Sequence, residues 1–212
     1  MNALQREKIH LVRRYSGGGT VYQDFGNVNW TLVLDRKTFS LDTGPLVMCA
    51  FLRNAFGLNA SVGKRREILL DTFKVSGTAF KLTNERAYCH GTLLIWSDLQ
   101  LLKSLLTKTL LPNGLEILSS LGIPSVPSKV GNLVHFCDAS NCPLPLSIEE
   151  SYEWICNAME RHFDMPIALV DSSIREECLE EAAMLRSYEW VYGKTPSFKT
   201  KRQPFGTTDT NT

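Results

Sequence analysis

Apolar and polar positions follow two different rhythms along the chain. In the first half, short runs alternate with period two between turn residues. Val28, Trp30, Leu32 and Leu34 fall on one face of a predicted strand. Lys8 to Arg14, Leu58 to Val62, Glu67 to Leu70, Phe73 to Leu82 and Tyr88 to Trp96 read as further strands, with Gly63-Lys64-Arg65-Arg66 as a hairpin turn. One helix interrupts them. Asp42 or Thr43 caps it, Pro45 falls in its first turn, Leu46, Cys49/Ala50, Arg53 and Phe56 are spaced by three and four, and Gly57 stops it.

The second half takes a helical period. Asp98 to Leu111 predicts an apolar-rich helix stopped by Pro112-Asn113-Gly114, followed by the Pro/Ser connector Ile123-Pro124-Ser125-Val126-Pro127-Ser128. Ser147-x-x-Glu150 is a capping box opening an amphipathic helix with Ile148, Tyr152, Ile155 and Met159 on one stripe. Ser173-x-x-Glu176 opens another that ends near Gly193, and Lys199 to Thr212 reads as a disordered polar tail. No internal repeat is visible. The pattern predicts an α+β domain over residues 1–198, a mixed or antiparallel sheet with helices packed on it in one sheet layer.

Composition narrows the function classes. Of 212 residues, 43% are hydrophobic, and 23 Lys+Arg balance 22 Asp+Glu to a net charge of +1. That balance argues against a general nucleic-acid binder, which needs a basic excess to neutralise phosphates. No apolar run approaches the ~20 residues of a membrane span, and the first residues lack the apolar stretch of a secretory signal. The six cysteines, at 49, 89, 137, 142, 156 and 178, include no Cys-x-x-Cys pair and do not join the histidines at zinc spacing. They read as free thiols, and no metal site is expected.

Three segments carry candidate chemistry. In Arg13-Arg14-Tyr15-Ser16-Gly17-Gly18-Gly19-Thr20-Val21, consecutive glycines let backbone N–H groups converge on a phosphate, and Arg14 offers a planar fork of donors. A plain turn is the bland alternative, and the spacing matches neither the dinucleotide fingerprint nor a Walker loop. Gly193-Lys194-Thr195 imitates the end of a Walker loop, but Tyr188 stands where a glycine is needed and Pro196 forbids the helix that must follow. In Phe73-Lys74-Val75-Ser76-Gly77-Thr78-Ala79, strand alternation puts Lys74, Ser76 and Thr78 on one face, with small neighbours leaving room for a ligand to reach the ammonium. In Tyr88-Cys89-His90-Gly91-Thr92, His90 is a base or a structural hydrogen-bonding residue. Cys89 is a candidate nucleophile, although adjacent strand residues point to opposite faces.

Taken together, Arg13-Arg14-x-Ser16-Gly17-Gly18-Gly19-x-Val21, Asp24-x-Gly26-Asn27-x-Asn29, Lys74-x-Ser76-Gly77-x-Ala79, His90-Gly91-Thr92-Leu93-Leu94 and Trp190-x-Tyr192-Gly193-Lys194-Thr195-Pro196-x-Phe198 resemble the lipoate–protein ligase A and lipoyltransferase family. Ser125-x-Pro127-Ser128-x-Val130-x-Asn132-Leu133 resembles its connector. The likeness covers nearly the whole chain up to the tail, and its phrasing is most similar to the mitochondrial lipoyltransferases of animals. The resemblance implies a catalytic core like those of class II aminoacyl-tRNA synthetases and biotin ligases. It implies protein lipoylation: a lipoyl or octanoyl group passes from an acyl-adenylate (lipoyl-AMP) to a lysine of a carrier domain. The carrier would belong to a 2-oxoacid dehydrogenase E2 subunit or be the glycine-cleavage carrier protein. Family members also make the adenylate from ATP and lipoate, and Mg2+ would enter only with that half-reaction.

The resemblance further implies that Lys74 is catalytic and that the adenylate is bound by Arg14, Gly17, Gly18, Gly19, Thr20, Val21, Tyr22, Asn27, Ser76, Gly77 and His90. Asp71 would help to orient the incoming amine. A monomer in the mitochondrion is expected, with no nucleic-acid or membrane partner. Two residues depart from the pattern, Gln23 and Cys89 standing where the family commonly has histidines. About a dozen residues precede the glycine loop, where family members carry several dozen more, so an open sheet edge and an incomplete acyl pocket are expected. A non-catalytic remnant that binds a carrier domain is the alternative from another class.

Overall fold

A computed structural model describes residues 4, 7–106, 115–138, 147–168, 176 and 178–202. Strand β1 (Asn27–Asp35) pairs antiparallel with β6 (Arg86–Leu94), which pairs on its other side with β5 (Thr78–Leu82). A second antiparallel sheet runs β2 (Ala60–Val62), β3 (Ile68–Leu70), β4 (Phe73–Ser76). A third joins β7 (Leu115–Ser120) to β8 (Phe198–Arg202).

Helix α1 (Thr43–Phe56) packs on the inner face of this framework, and helix α3 (Ile148–Phe163) packs against α1. The alternation in β1 sends Trp30 inward, where it meets Cys89 and Leu93 of β6 and Met48, Cys49, Phe51 and Leu52 of α1. Ile68, Val75, Leu133, Ile155 and Ala158 complete the buried cluster. Phe56 stacks on Trp154 with ring centroids 4.2 Å apart, fastening α1 to α3. Ser147 caps α3 as its capping box requires, its hydroxyl accepting the Glu150 N–H.

The architecture is α+β as the pattern predicts, with several differences in detail. The single sheet layer expected is instead two three-stranded sheets and a two-stranded one. Residues 8–14 form no strand: Lys8 lies in a turn at φ +53°, and residues 9–14 pair with no strand among the described residues. The run Phe73 to Leu82 is broken at Gly77 into β4 and β5, which belong to different sheets. Leu115–Ser120, in the half read as helical, is strand β7. Its partner β8 includes Lys199, Thr200, Lys201 and Arg202, so the expected disorder of the tail does not hold there; residues 203–212 lie outside the described part. The predicted helix from Asp98 is α2 (Leu99–Leu106), with Asp98 Oδ1 accepting the Gln100 and Leu101 N–H groups. Its expected end, Cys142 and Ser173 lie outside the described residues. The last predicted helix is α4 (Leu179–Arg186), followed by a separate π-helical turn over Glu189–Gly193.

Candidate active site

Opposite the core, the outer face of the β1–β6–β5 sheet carries Asn29, Thr31 and Val33 from β1, Tyr88, His90 and Thr92 from β6, and Ala79 and Lys81 from β5. Cross-strand partners share a face, so the register alone groups these side chains. The glycine loop folds onto them. A Cβ at Gly18 would stand 3.2 Å from the Ala79 Cβ and 2.8 Å from Nη2 of Arg14. With φ at +101° as well, this position accepts glycine for two independent reasons. Gly19 lies against Ser125 and the Pro124 carbonyl, whereas Gly17 is open on the side a Cβ would take.

Arg14 holds the loop from within. Its Nε donates to Ser16 Oγ at 3.2 Å, and Nη2 donates to the carbonyls of Gly17 at 2.7 Å and Gly19 at 2.9 Å. The sequence suggested a free fork for a phosphate; much of that fork instead props the loop. Because a trans peptide points its N–H opposite its C=O, turning the Gly17 and Gly19 carbonyls toward Arg14 turns the Gly18 and Thr20 N–H groups away from it. Burial lowers the Arg14 value from the ordinary guanidinium range.

Lys74 reaches the same face from the neighbouring sheet. Its backbone sits between β3 and the connector, its N–H donating to the Lys129 carbonyl at 2.7 Å and its carbonyl accepting the Gly131 N–H at 3.1 Å. Opposite the Ile68–Leu69 step, β4 carries one extra residue, a bulge that breaks the alternation expected to align Lys74, Ser76 and Thr78. Ser76 is fully buried instead, its Oγ accepting Trp30 Nε1–H at 3.3 Å, and Thr78 Oγ1 donates to the Arg66 carbonyl.

The Lys74 ammonium folds over Gly77. A Cβ there would meet Lys74 Cε and Nζ at 3.0 Å and Thr92 Oγ1 at 3.9 Å. Gly77 also donates its N–H to Thr92 Oγ1. Gly77, just before β5, and Ala79 are two residues apart, about 7 Å by strand geometry, so the ammonium and Gly18 lie over neighbouring positions of one face. Among the described residues, no hydrogen bond or salt bridge ties Nζ. Burial pushes its pKa below the ordinary lysine value, the Arg65 guanidinium adds to this, and the Glu67 carboxylate opposes it.

The Pro/Ser connector joins both parts. Ser125 Oγ donates to the Thr20 carbonyl at 2.8 Å, and Arg65 Nη2 donates to Ser128 Oγ at 3.1 Å. At the far end, the Asn132 side chain pairs with the backbone of Ser97, accepting its N–H at 3.1 Å and donating to its carbonyl at 2.8 Å. Arg65 is absent from the sequence candidates, and the connector appears there only as a family likeness, not as a neighbour of Lys74 and the glycine loop. Only the lysine–arginine run of the β2–β3 turn hinted at the first.

His90 pairs across β5 with Ala79, beneath the glycine loop. Burial and then the nearby Arg14 charge lower its pKa, which favours the neutral imidazole, and among the described residues its buried Nε2 has no hydrogen-bond partner. Cys89, next to it, points to the other face. Its thiol is fully buried against Gly44 and is pushed up to about 12 by burial, which removes it as a nucleophile.

The remaining sequence candidates divide. Asn27 is buried at the start of β1 and donates to Asn29 Oδ1, while Asn29 donates to Gln23 Oε1; Gln23 thus serves as an acceptor where a histidine was expected. Tyr22 interacts with Asp24, and burial, followed by that carboxylate, raises its pKa. Val21 is exposed. Asp71 is not brought to Lys74. It sits at φ +52° on the β3–β4 turn and lines a separate depression of about 190 Å³ with Phe56, Leu58, Leu70, Phe136 and Asp138. Among the described residues, no group of three His, Cys, Asp or Glu side chains could hold a metal, and no helix is long and apolar enough to cross a membrane.

Known proteins resemble this chain in sequence and fold. The human mitochondrial lipoyl amidotransferase LIPT1 is 33% identical over 200 residues, covering 93% of this chain and 52% of its own length. This chain therefore spans about half the length of that relative. Two solved structures share the fold. Plasmodium falciparum LipL1 in complex with lipoate gives a TM-score of 0.63 at 24% identity, over 92% of this chain and 55% of that one. The bipartite lipoate protein ligase studied with its E2 lipoyl domain from Thermoplasma acidophilum gives 0.60 at 20% identity, over 90% and 73%. The profile of the lipoyl protein ligase A/B catalytic domain matches residues 1–160, and this chain belongs to that family.

Proposed function

We infer that this chain is the catalytic core of a protein-lipoylating acyltransferase, which moves a lipoyl or octanoyl group from an acyl-adenylate to a lysine of a lipoyl carrier domain. One observation carries the reading: the Lys74 ammonium and the glycine loop, far apart in sequence, share one sheet face, with the connector touching both segments. The outward N–H groups of Gly18 and Thr20 suit the adenylate phosphate. Lys74 is free to bridge that phosphate and the acyl carbonyl.

The chemistry follows from the charges. The carrier's ε-amine, having lost its proton to solvent, attacks the acyl carbonyl carbon, and a C–N bond forms. The bond from that carbon to the phosphate oxygen breaks, AMP leaves, and the second amine proton is lost to solvent as the amide forms. Negative charge develops on the carbonyl oxygen and then on the leaving phosphate. A preplaced, partly desolvated ammonium stabilises both more than it stabilises the ground state. Neutral His90 and the Asn29–Gln23 pair suit orientation of the nucleotide rather than proton transfer. The carriers are the lipoyl domains of 2-oxoacid dehydrogenases or the glycine-cleavage carrier protein, in a mitochondrial setting; the mitochondrial amidotransferase and the ligase studied with an E2 lipoyl domain support this.

The test is Lys74→Ala in single-turnover transfer from preformed lipoyl-adenylate to an isolated carrier domain. Transfer is expected to fall by about 10²–10³ with the circular dichroism spectrum unchanged; a wild-type rate would remove Lys74 from the mechanism. Pyrophosphate release from ATP and lipoate would show that the chain also makes its own adenylate. A wild-type chain that neither binds an adenylate analogue nor transfers would leave the carrier-binding remnant as the better reading.

A further inference from the structure

The C-terminal motif Trp190-x-Tyr192-Gly193-Lys194-Thr195-Pro196 has no part in the chemistry above, yet it touches the base of the glycine loop. Residues 10–15 take part in none of the backbone–backbone hydrogen bonds among the described residues. They are held by the far end of the chain. Arg13 Nε donates to the Val191 carbonyl at 3.0 Å, Arg13 Nη2 donates to Thr195 Oγ1 at 3.0 Å, and Trp190 Nε1 donates to the Arg13 carbonyl at 2.8 Å. Tyr15 packs edge-on against Trp190 with centroids 4.9 Å apart, and Lys81 of β5 lies over the Tyr15 ring. Arg13 and Tyr15 thus contact the C-terminal turn, and Arg14 between them contacts the glycine loop.

The turn is built to make this contact. Its π-helical bond runs from the Lys194 N–H to the Glu189 carbonyl. A helix continuing past it would satisfy the Val191 carbonyl with the N–H of residue 195 or 196. The Thr195 N–H donates to the Tyr192 carbonyl instead, and Pro196 has no N–H. The Val191 carbonyl is thereby left for Arg13.

We propose that the turn Glu189–Thr195 clasps Arg13 and so fixes Arg14 and the glycine loop in the conformation that accepts the adenylate phosphate, which makes Arg13 and Trp190 positioning residues. This rests on the acyl-adenylate reading. It deepens that reading by giving the loop's geometry a source on a segment about 180 residues away in sequence.

The test is a double-mutant cycle on the full chain, with binding of a non-hydrolysable lipoyl-adenylate analogue as the readout. Arg13→Ala and Arg14→Ala are each expected to weaken binding about tenfold to a hundredfold. The double variant is expected to bind no more weakly than the worse single one, because Arg13 acts through Arg14. Additive losses would show two independent roles and overturn the clasp, as would an Arg13→Ala protein that binds like wild type. Should Arg13→Ala not fold, Trp190→Phe keeps an aromatic ring beside Tyr15 while removing the N–H donated to Arg13 and part of the indole; unchanged affinity there overturns the proposal, and a severalfold loss with an unchanged melting temperature supports it. A wild-type chain that binds no analogue refutes the acyl-adenylate reading itself, and the clasp with it.

Discussion

The two faces of the β1–β6–β5 sheet are made from the same strands and obey opposite rules. Inward, Trp30, Cys89 and Leu93 close against Met48, Cys49, Phe51 and Leu52, and the exposure of nearly all falls to a few per cent. Outward, small or polar residues support a glycine loop and, among the described residues, an ammonium without an ion-pair partner and an imidazole nitrogen without a hydrogen bond. The inner face spends its side chains on each other. The outer face leaves polar groups unfulfilled, which is costly in an isolated fold and useful where an anionic ligand completes them. Adjacent residues make the contrast sharpest: Cys89 is an inert core thiol and His90, one position on, lies under the loop.

Substitutions on the two faces should therefore separate stability from activity. The largest effect is expected inside. Phe51→Ala removes a ring buried among Phe56, His162 and Phe163 and should cost about 3–5 kcal/mol in urea unfolding. Next is Gly18→Val, which combines a positive φ with a clash at Arg14. It should weaken adenylate-analogue binding by tenfold or more, for a stability cost of about 1–3 kcal/mol. An affinity like wild type would mean that the loop does not bind the phosphate. Cys89→Ala should cost about 1 kcal/mol and leave single-turnover transfer unchanged; a lost rate would bring back a cysteine acyl-enzyme and undo the division of faces.

The smallest effect concerns Lys74. Its folded-state pKa lies below the ordinary 10.5, so at neutral pH the protein bears the cost of a charged, partly buried ammonium. Wild-type stability should rise as pH climbs from the lowered value toward 10.5, where the unfolded chain still holds the proton and the folded one releases it. Lys74→Met should be more stable than wild type at pH 7, with the gap narrowing toward pH 10.5 in parallel melting curves. A gap that is absent or widens with pH would mean that Lys74 is not held at a cost.

Legibility followed the range of the interactions. The β1 alternation, the bounds of α1 and the Ser147 cap are local matters, and each appears as the pattern predicts. Strand β7 escaped notice because what makes it a strand is β8, some eighty residues later. The break at Gly77 was hidden for a related reason: an uninterrupted run of strand-forming residues does not reveal that its two ends pair with different sheets. The sequence marks Arg14 as a candidate by its residue type and place beside the glycines, but not the direction of its side chain. Whether a guanidinium points at a ligand or at the carbonyls of its own loop depends on where Ala79 and Ser125 press that loop.

The sequence alone determined the residue types the chemistry needs, the α+β class and the family resemblance, because side-chain chemistry and local periodicity are written directly in residue order. Only the tertiary structure decided that Lys74 lies over Gly77 beside Gly18, that Asp71 does not join them, and that a turn near residue 190 holds Arg13. Those facts depend on a bulge, a change of sheet and hydrogen bonds across nearly the whole chain, and no local pattern records which distant backbone will arrive.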